Sequence, residues 1–400
     1  MKDKKIGLTV AVMIGLNAMV GAGIVAIPAV LAGSAGPAGI LSFGLSVIVV
    51  LCMSYAFGKL SHDRPSTAWS YQHPATLYGH KAGLVIGCLY WVGVLVAMGF
   101  LVQQAGVWAQ HFLPNHSAEL LGSIILGTLT LLVLFGPQAS SLGQYIIAAV
   151  VVLSLMSTAF VCFRYFDVGL WTPFAPYGYL AVLEAAPKAM FSLLGFESIA
   201  SLATIIRDPK KNVAKACIYS VLVVGALYFI FIVSILGAIP ESVFTGGQQK
   251  TLVSILAAYL PQHPTLQFFI FLGGLFAIIG TLHSMIWSVT ILLFDTLSFV
   301  KTPSIKQLFS PEGKSQKLGI IITALLMWCV SLWLHSTLLL DLSVALIAIA
   351  YLSTVSLFFR DAVEQRQTKG GLLRLILATV ACLGCCLILF MSIAPYFYRS

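Results

Sequence analysis

Charge is what this sequence has least of. Only 9% of its 400 residues are charged, whereas 59% are hydrophobic. A water-soluble domain carries roughly 25% charged residues, so the composition excludes a soluble enzyme or binding module and places the chain in a bilayer. Acidic residues are scarcer than basic ones, 13 against 22, for a net charge of +9. In a membrane chain this excess of Lys and Arg is first a topology signal, and no nucleic-acid partner is expected.

Motifs for metal, disulfide and nucleotide chemistry are also missing. The eight cysteines lie mostly inside apolar runs, as small buried hydrophobes do, so neither a disulfide framework nor a metal site is predicted. The absence of a Walker motif argues against transport driven by ATP. The apolar runs contain neither paired aspartates nor a His-Glu metal motif. We therefore predict no enzymatic activity and no cofactor.

Apolar runs of about 20 residues, the length of a helix that crosses a bilayer, dominate what is present. They predict a single all-α polytopic domain over residues 1–400 with about 11 transmembrane helices. The eighth run is long but holds no polar turn, so it is expected to form one tilted helix. The runs are 8–33, 36–58, 82–110, 119–136, 140–163, 183–206, 216–239, 265–298, 318–335, 338–359 and 372–395.

The basic residues set the orientation of these spans. If the N-terminus is inside, eighteen of the 22 Lys and Arg residues fall on the inner side and four on the outer side. Such a bias is typical of cytoplasmic loops, so the sequence predicts a protein of the cytoplasmic membrane with a cytoplasmic N-terminus. An odd number of spans then leaves the C-terminus outside. The basic loops face anionic lipid headgroups, which makes membrane lipid a partner.

Two spans carry an interruption near the middle of the membrane. In the first span it is the Gly-Ala-Gly segment within 17–24, and in the sixth it is the Leu-Gly-Phe-Glu segment within 191–198. Glycine in an apolar helix also permits close helix packing, but two interruptions five spans apart favour an inverted five-plus-five repeat with broken helices 1 and 6. The predicted units are repeat one over 8–163, repeat two over 183–359 and an extra C-terminal helix over 372–395.

The interruptions indicate what the protein binds. Unwinding frees backbone N–H and C=O groups, which are tolerated at membrane depth where they line a cavity or bind a ligand. The N-terminus of a half-helix attracts a carboxylate, and freed carbonyls accept hydrogen bonds from an ammonium group. A zwitterion matches both ends. The interruptions therefore predict a transporter with a binding site for a zwitterion, and a channel or a sensor with the same binding site stays an alternative.

Three stretches carry motifs of a known family. They are residues 5–28 with Gly-Ala-Gly-Ile and a proline, residues 194–213 with Gly-Phe-Glu-Ser and Asp-Pro-Lys-Lys-Asn-Val, and residues 78–91 at the entry into the third helix. These stretches resemble the amino acid–polyamine–organocation (APC) permease family, in which serine is usual at the position of Ala22. The resemblance extends over roughly residues 5–360 and implies a five-plus-five inverted-repeat fold, alternating access, and carriage of amino acids or related amines.

The resemblance also implies roles for residues at matching positions. The glycine-rich break of the first helix would meet the substrate carboxylate, and the unwound sixth helix would meet its ammonium group, with Phe191 at the position of an aromatic gate. The apolar residues among them favour a neutral amino acid as substrate. The predicted substrate-binding residues are Met19, Gly21, Ala22, Gly23, Ile24, Phe191, Ser192, Leu194, Gly195, His283 and Trp287.

Ionisable residues inside the spans are few, and each is costly enough there to suggest a function. Glu197 fits two roles, a staple that accepts backbone N–H bonds at the sixth-helix break and a proton carrier. His283 titrates in the range needed for proton coupling, or it is a hydrogen-bonded packing residue. Trp287 lies four residues further on the same helix face, so the two are expected to line the central cavity together.

The coupling mode stays open at this point. Protons are one candidate coupling partner, and substrate exchange is another. Thr281 and Ser284 on the eighth span offer hydroxyl groups that suit a sodium-coupled amino acid symporter. An exchanger of amines or polyamines and a transporter-like amino acid sensor complete the alternatives.

Overall fold

The computed structural model describes residues 5–21, 23–64, 66, 68–245, 252–299, 314–333, 336–368 and 370–398. Within these ranges nearly all regular structure is helical. The first span is divided into α1 (Leu8–Met19) and α2 (Gly23–Ala35), and the sixth into α8 (Gly178–Phe191) and α9 (Ser198–Ser201). Breaks in the first and sixth spans are therefore confirmed.

The other spans are uninterrupted helices. They are α3 (Gly39–Asp63), α5 (His80–Gln110), α6 (Ala118–Leu134), α7 (Pro137–Arg164), α10 (Pro209–Ala238), α13 (Pro264–Ser298), α14 (Lys314–Trp333), α15 (Ser336–Glu364) and α16 (Gly371–Tyr398). Short helices lie between spans: α4 (Trp69–Tyr78), α11 (Ser242–Thr245) and α12 (Leu252–Tyr259). Three further turns are 3-10 helical: Gly36–Ala38, Val168–Trp171 and Ala203–Ile205.

The helices have the length and composition of a multi-pass membrane protein. Seven helical stretches in the described part of the chain are long and apolar enough to cross a membrane, and three shorter apolar helices accompany them. Helix α13 runs without interruption for 35 residues, so the eighth span is one helix, as predicted. The predicted all-α polytopic fold is confirmed.

Apolar side chains cover the outside of the helices, whereas small polar ones join the helices inside. Ile124, Leu131 and Leu153 are each more than half exposed, as residues that face lipid hydrocarbon are. Inside, the Ser42 and Ser46 hydroxyls of α3 donate to carbonyl oxygens of α8 at 2.8 Å. Such interhelical hydrogen bonds replace the hydrophobic effect, which does not drive helices together within lipid.

The two broken spans are tied together at one end. The Ile6 N–H donates to the Ile205 carbonyl at 2.9 Å, and the Arg207 N–H donates to the Ile6 carbonyl at 2.9 Å. These bonds form an isolated parallel bridge between the segment before α1 and the segment after α9. A movement of α1 is therefore transmitted to α9 at this end of the molecule.

Helix α4 lies outside the spans, packed against α5 and α15, and it carries a fully buried histidine. The His73 Nδ1 lies 3.3 Å from the Thr354 hydroxyl oxygen. Burial, and next the positive charge of Arg64, lower the pKa of His73 to about 3. The imidazole is therefore neutral in the folded protein at physiological pH.

This neutral histidine predicts how acid affects stability. In the unfolded chain His73 titrates near pH 6.5, so between about pH 6.5 and 3 the unfolded state binds more protons and stability falls as the pH is lowered. Going from pH 7 to pH 5 is expected to cost about 2 kcal/mol through this residue. In thermal unfolding in detergent, the stability lost between pH 7 and pH 5 should be smaller by about 2 kcal/mol in His73→Gln than in the parent protein. Equal losses in parent and variant would contradict the prediction.

Candidate functional site

The break in the first span depends on two glycines. Helix α1 ends at Met19 and α2 begins at Gly23. A Cβ atom on Gly21 would lie 3.1 Å from the Thr281 hydroxyl of α13, and one on Gly23 would lie 3.4 Å from the Cβ of Ser192. The two glycines therefore let the break approach both the eighth span and the broken sixth span closely.

The break in the sixth span depends on Gly195. Residues 192–197 lie outside the helices on either side, and Gly195 has a φ of +119°, a conformation that side-chain-bearing residues rarely adopt. A Cβ atom there would lie 2.7 Å from the Ala18 carbonyl oxygen. Gly195 thus brings the second break directly against the end of α1.

A cavity of about 140 Å³ opens where the two breaks meet. A well-studied apolar cavity of about 150 Å³ holds one benzene molecule, so this cavity has room for a small organic ligand. Seven of the residues singled out from the sequence line it: Met19, Gly21, Gly23, Ser192, Leu194, Gly195 and Glu197. The structure therefore brings most of the two predicted half-sites into one cavity.

The remaining predicted residues lie elsewhere. Ile24 is buried but does not line the cavity. Ala22 lies outside the described residues, and so does the side chain of Phe191. The predicted contribution of these two residues to binding stays a prediction.

His283 and Trp287, which were expected to line the central cavity, are not among the residues that line it, and their part in substrate binding stays a prediction. Both side chains are buried, but α13 presents Thr281 and Met285 to the cavity instead. His283 follows Thr281 by two residues, which is more than half a helical turn, so its side chain faces away from the cavity. The His283 Nδ1 lies 2.9 Å from the Gln144 amide nitrogen of α7.

One wall of the cavity was not found by sequence analysis. Helices α5 and α15 supply it, mainly with aliphatic and methionine side chains. These helices are uninterrupted and apolar, so nothing in their sequence marks the face that meets a ligand. The residues are Val94, Ala97, Met98, Phe100 and Leu101 of α5 and Ser343, Val344, Ile347 and Tyr351 of α15.

Glu197 binds across the sixth-span break. Its Oε2 accepts a hydrogen bond from the Gly195 N–H at 2.9 Å, and its Oε1 accepts one from the Tyr90 hydroxyl at 3.1 Å. The side chain is buried, with 2% of its surface exposed. The carboxylate therefore holds the unwound segment in shape and joins it to α5, which is the geometry of a staple.

A buried polar network holds the first span against α7 and α13. The Asn17 amide donates to the Gln144 backbone carbonyl at 3.0 Å and also to the Gln144 side-chain oxygen. Gln144 in turn contacts His283 and accepts from the Ser284 hydroxyl at 3.3 Å. Within this network His283 occupies the position of a hydrogen-bonded packing residue. Its role in proton coupling stays a prediction.

The Thr281 hydroxyl is engaged with the end of α1. Its Oγ1 lies 2.9 Å from the Asn17 carbonyl oxygen and 3.3 Å from the Val20 carbonyl oxygen. The Ser284 hydroxyl donates to the Gly280 carbonyl of its own helix at 2.7 Å. Of the two hydroxyl groups that suggested a cation site, the Thr281 hydroxyl thus holds α1 to α13, and the Ser284 hydroxyl bonds within α13.

Apart from the two breaks, the lining of the cavity is largely apolar. The breaks place backbone groups and helix ends beside it, and the opposite wall is apolar. Among the described residues that line it, Glu197 is the one carboxylate, and Lys, Arg and His do not occur. Both Glu197 oxygens already accept hydrogen bonds, so the site offers no unpaired counter-charge to a charged side chain.

Comparison with known proteins agrees with this geometry. The chain is 26% identical over 267 residues to a chloroplastic cationic amino acid transporter 9 of Arabidopsis thaliana, covering 60% of this chain and 47% of that protein. It is 23% identical over 266 residues to the branched-chain amino acid permease BcaP of Bacillus subtilis, covering 61% and 57%. It is 22% identical over 260 residues to an aspartate-proton symporter of the same organism, covering 61% and 50%.

These matches are informative about the family of the protein. The chain spans about half the length of these relatives, whose names differ in the amino acid carried. The sequence profile described as "Amino acid permease" matches residues 6–400, nearly the whole chain. With two broken spans that meet at one cavity, the chain therefore belongs to the amino acid permease family.

Proposed function

We propose that the protein is a secondary transporter that carries a small neutral amino acid across the cytoplasmic membrane by alternating access. The observation that carries the proposal is the contact between the two broken spans at the cavity, where Gly195 packs on Ala18. Backbone N–H groups at one half-helix end suit the substrate carboxylate, and freed carbonyls suit its ammonium group. Family membership supports transport rather than chemistry on the ligand.

The residues of the cavity wall are the reason for proposing a substrate with a neutral side chain. A cationic or anionic side chain would lose its hydration and find no unpaired opposite charge, which is costly in an apolar site. An aliphatic side chain packs against Val94, Met98 and Val344 instead. The same argument weighs against an exchanger of polyamines, which would need several carboxylates.

Alternating access requires two bodies that move against each other. We assign spans 1, 2, 6 and 7 to a moving bundle and spans 3, 4, 5, 8, 9 and 10 to a scaffold, with repeats over 8–163 and 183–359. The contacts support this division, because α3 packs most extensively on α10, and α5 packs most extensively on α15. The eighteen basic residues on one side favour a cytoplasmic N-terminus and an outer C-terminus.

Sodium is not expected to drive the transport. The Thr281 hydroxyl lies within 3.3 Å of the Asn17 and Val20 carbonyls, the groups that would have to face a cation between α1 and α13, and its one proton is donated toward them. Uptake into proteoliposomes should therefore be the same when external sodium is replaced by choline. A loss of more than about tenfold in choline, equivalent to 1.4 kcal/mol, would contradict proton symport or exchange and favour sodium symport.

The decisive experiment is a ligand screen on the purified protein. Thermal stability is measured with a panel of amino acids and polyamines, and each stabilising ligand is then tested for uptake into proteoliposomes. We expect small aliphatic amino acids to stabilise and to be transported, because a ligand that binds the folded state raises its apparent stability. Stabilisation without uptake would favour a sensor, and stabilisation by polyamines alone would overturn the proposal.

One variant tests whether the ligand binds in this cavity. Gly23→Leu puts a bulky side chain beside Ser192 while leaving the rest of the cavity wall unchanged. It should remove the stabilisation by ligand but leave expression intact. Retained ligand affinity would show that the site lies elsewhere.

A further inference from the structure

We propose that Arg64 and Asp361 form a latch that holds the cytoplasmic side of the cavity closed and separates when the substrate is released to that side. Arg64 follows the last residue of α3, and Asp361 lies in the last turn of α15. The Arg64 Nη1 lies 2.8 Å from the Asp361 Oδ2. The latch rests on the alternating-access transport proposed above and names the residues that control one of its two openings.

The pair joins the two bodies that have to separate. Helix α3 packs against the bundle helices α8 and α10, and α15 packs against α5 and α4. The other ion pairs at this edge, within the described residues, each stay within one helix: Asp63 with Lys59 at 2.7 Å and with His62 at 3.0 Å on α3, and Arg360 with Glu364 at 3.7 Å and with Asp361 at 3.5 Å on α15. Only the Arg64–Asp361 pair among them resists the separation of α3 from α15.

The latch lies below a closed aromatic layer. Tyr351 lines the cavity, and Asp361 is ten residues further along the same helix, a distance of about 15 Å. The Trp69 ring of α4 packs against Tyr351, with ring centroids 6.1 Å apart, and lies 4.8 Å from the Phe57 ring and 4.6 Å from the Tyr90 ring. The Trp69 indole N–H donates to the Ser201 hydroxyl of α9 at 3.1 Å. Separating α3 and α9 from α4 and α5 would therefore open this layer.

Polar atoms within the closed layer indicate that it opens to water. The hydroxyls of Ser61, Ser70 and Ser198 and the His73 Nε2 are buried without a hydrogen-bond partner among the described residues. Buried polar atoms are nearly always paired, and leaving one unpaired is costly. These four atoms, on α3, α4 and α9, would gain water as a partner if this half of the protein alternates between a dry state and a hydrated state.

The test measures the opening directly, without substrate. Ser198→Cys places a thiol beside Glu197, between the cavity and the cytoplasmic side. A thiol reagent is applied from the cytoplasmic side, and the labelling of this cysteine is followed by the mass of the peptide that contains it. Arg64→Gln and Asp361→Asn are each expected to speed labelling about two- to fivefold, the range that a partly exposed ion pair supports. The double exchange Arg64→Asp with Asp361→Arg should return labelling to the parent rate.

Two matched controls remove ion pairs that lie within one helix and do not join the two bodies. Asp63→Asn and Glu364→Gln should leave the labelling rate unchanged. Unchanged labelling in Asp361→Asn, or a double exchange that labels as fast as the single variants, would overturn the latch. Faster labelling of the latch variants, with no amino acid uptake by the parent protein, would support the latch and reject the proposed function. Uptake by the parent protein, with unchanged labelling of the latch variants, would support the proposed function and reject the latch.

Discussion

Alanine at position 195 is expected to abolish uptake. Gly195 has a φ of +119°, and a backbone strained in this way costs a side-chain-bearing residue about 1–3 kcal/mol. The added Cβ would also lie 2.7 Å from the Ala18 carbonyl oxygen, so the two breaks would have to move apart. Because the cavity is formed by their contact, we expect at least a tenfold loss of uptake in proteoliposomes, with lowered thermal stability.

A second glycine serves as a control that separates the effect of backbone strain from the effect of moving the two breaks apart. Gly178 at the start of α8 also has a positive φ, +78°, but a Cβ atom there would meet no other atom within 4 Å. Gly178→Ala should therefore lose a similar amount of stability while keeping uptake close to that of the parent protein. If Gly195→Ala transports as well as Gly178→Ala does, the contact between the breaks does not shape the binding site.

The architecture could be predicted because its signals are local in the sequence. The eleven apolar runs all coincide with observed helices, because hydrocarbon thickness sets the length that a spanning helix needs, although helix ends differ from the predicted ones by up to seven residues, as at Pro209 of α10. The breaks at Gly21–Gly23 and at Gly195 were also predictable, because glycines in mid-membrane and a neighbouring carboxylate are visible in the sequence. Most of the predicted half-sites line the observed cavity for this reason.

What could not be predicted is the orientation of continuous helices. Periodicity shows that His283 and Trp287 share one face of α13 but does not show which neighbour that face meets. The face opposite, with Thr281 and Met285, lines the cavity. In the same way, nothing in the sequence joined Asn17 to Gln144, because their contact depends on tertiary packing across 127 residues of chain.

Glu197 is expected to tolerate glutamine but not alanine. Alanine would leave the Gly195 N–H and the Tyr90 hydroxyl without their acceptor, at about 1–3 kcal/mol for each buried group. Glutamine keeps an oxygen for the Gly195 N–H, and its amide can donate to the Tyr90 oxygen, since a tyrosine hydroxyl both donates and accepts. Uptake should therefore fall at least tenfold in Glu197→Ala and stay within about threefold of the parent in Glu197→Gln.

The pH dependence of uptake separates the staple from the proton carrier. A staple needs only the shape and acceptor of the side chain, so Glu197→Gln should keep the pH profile of the parent. A proton carrier must ionise, so the same variant would lose that profile even though it still binds substrate. Tyr90→Phe is the matched control: it removes one donor to the carboxylate while Gly195 still binds the other oxygen. Tyr90→Phe still contains the ionisable Glu197. A pH profile of uptake that changes in Glu197→Gln but not in Tyr90→Phe would therefore assign the proton to Glu197 itself.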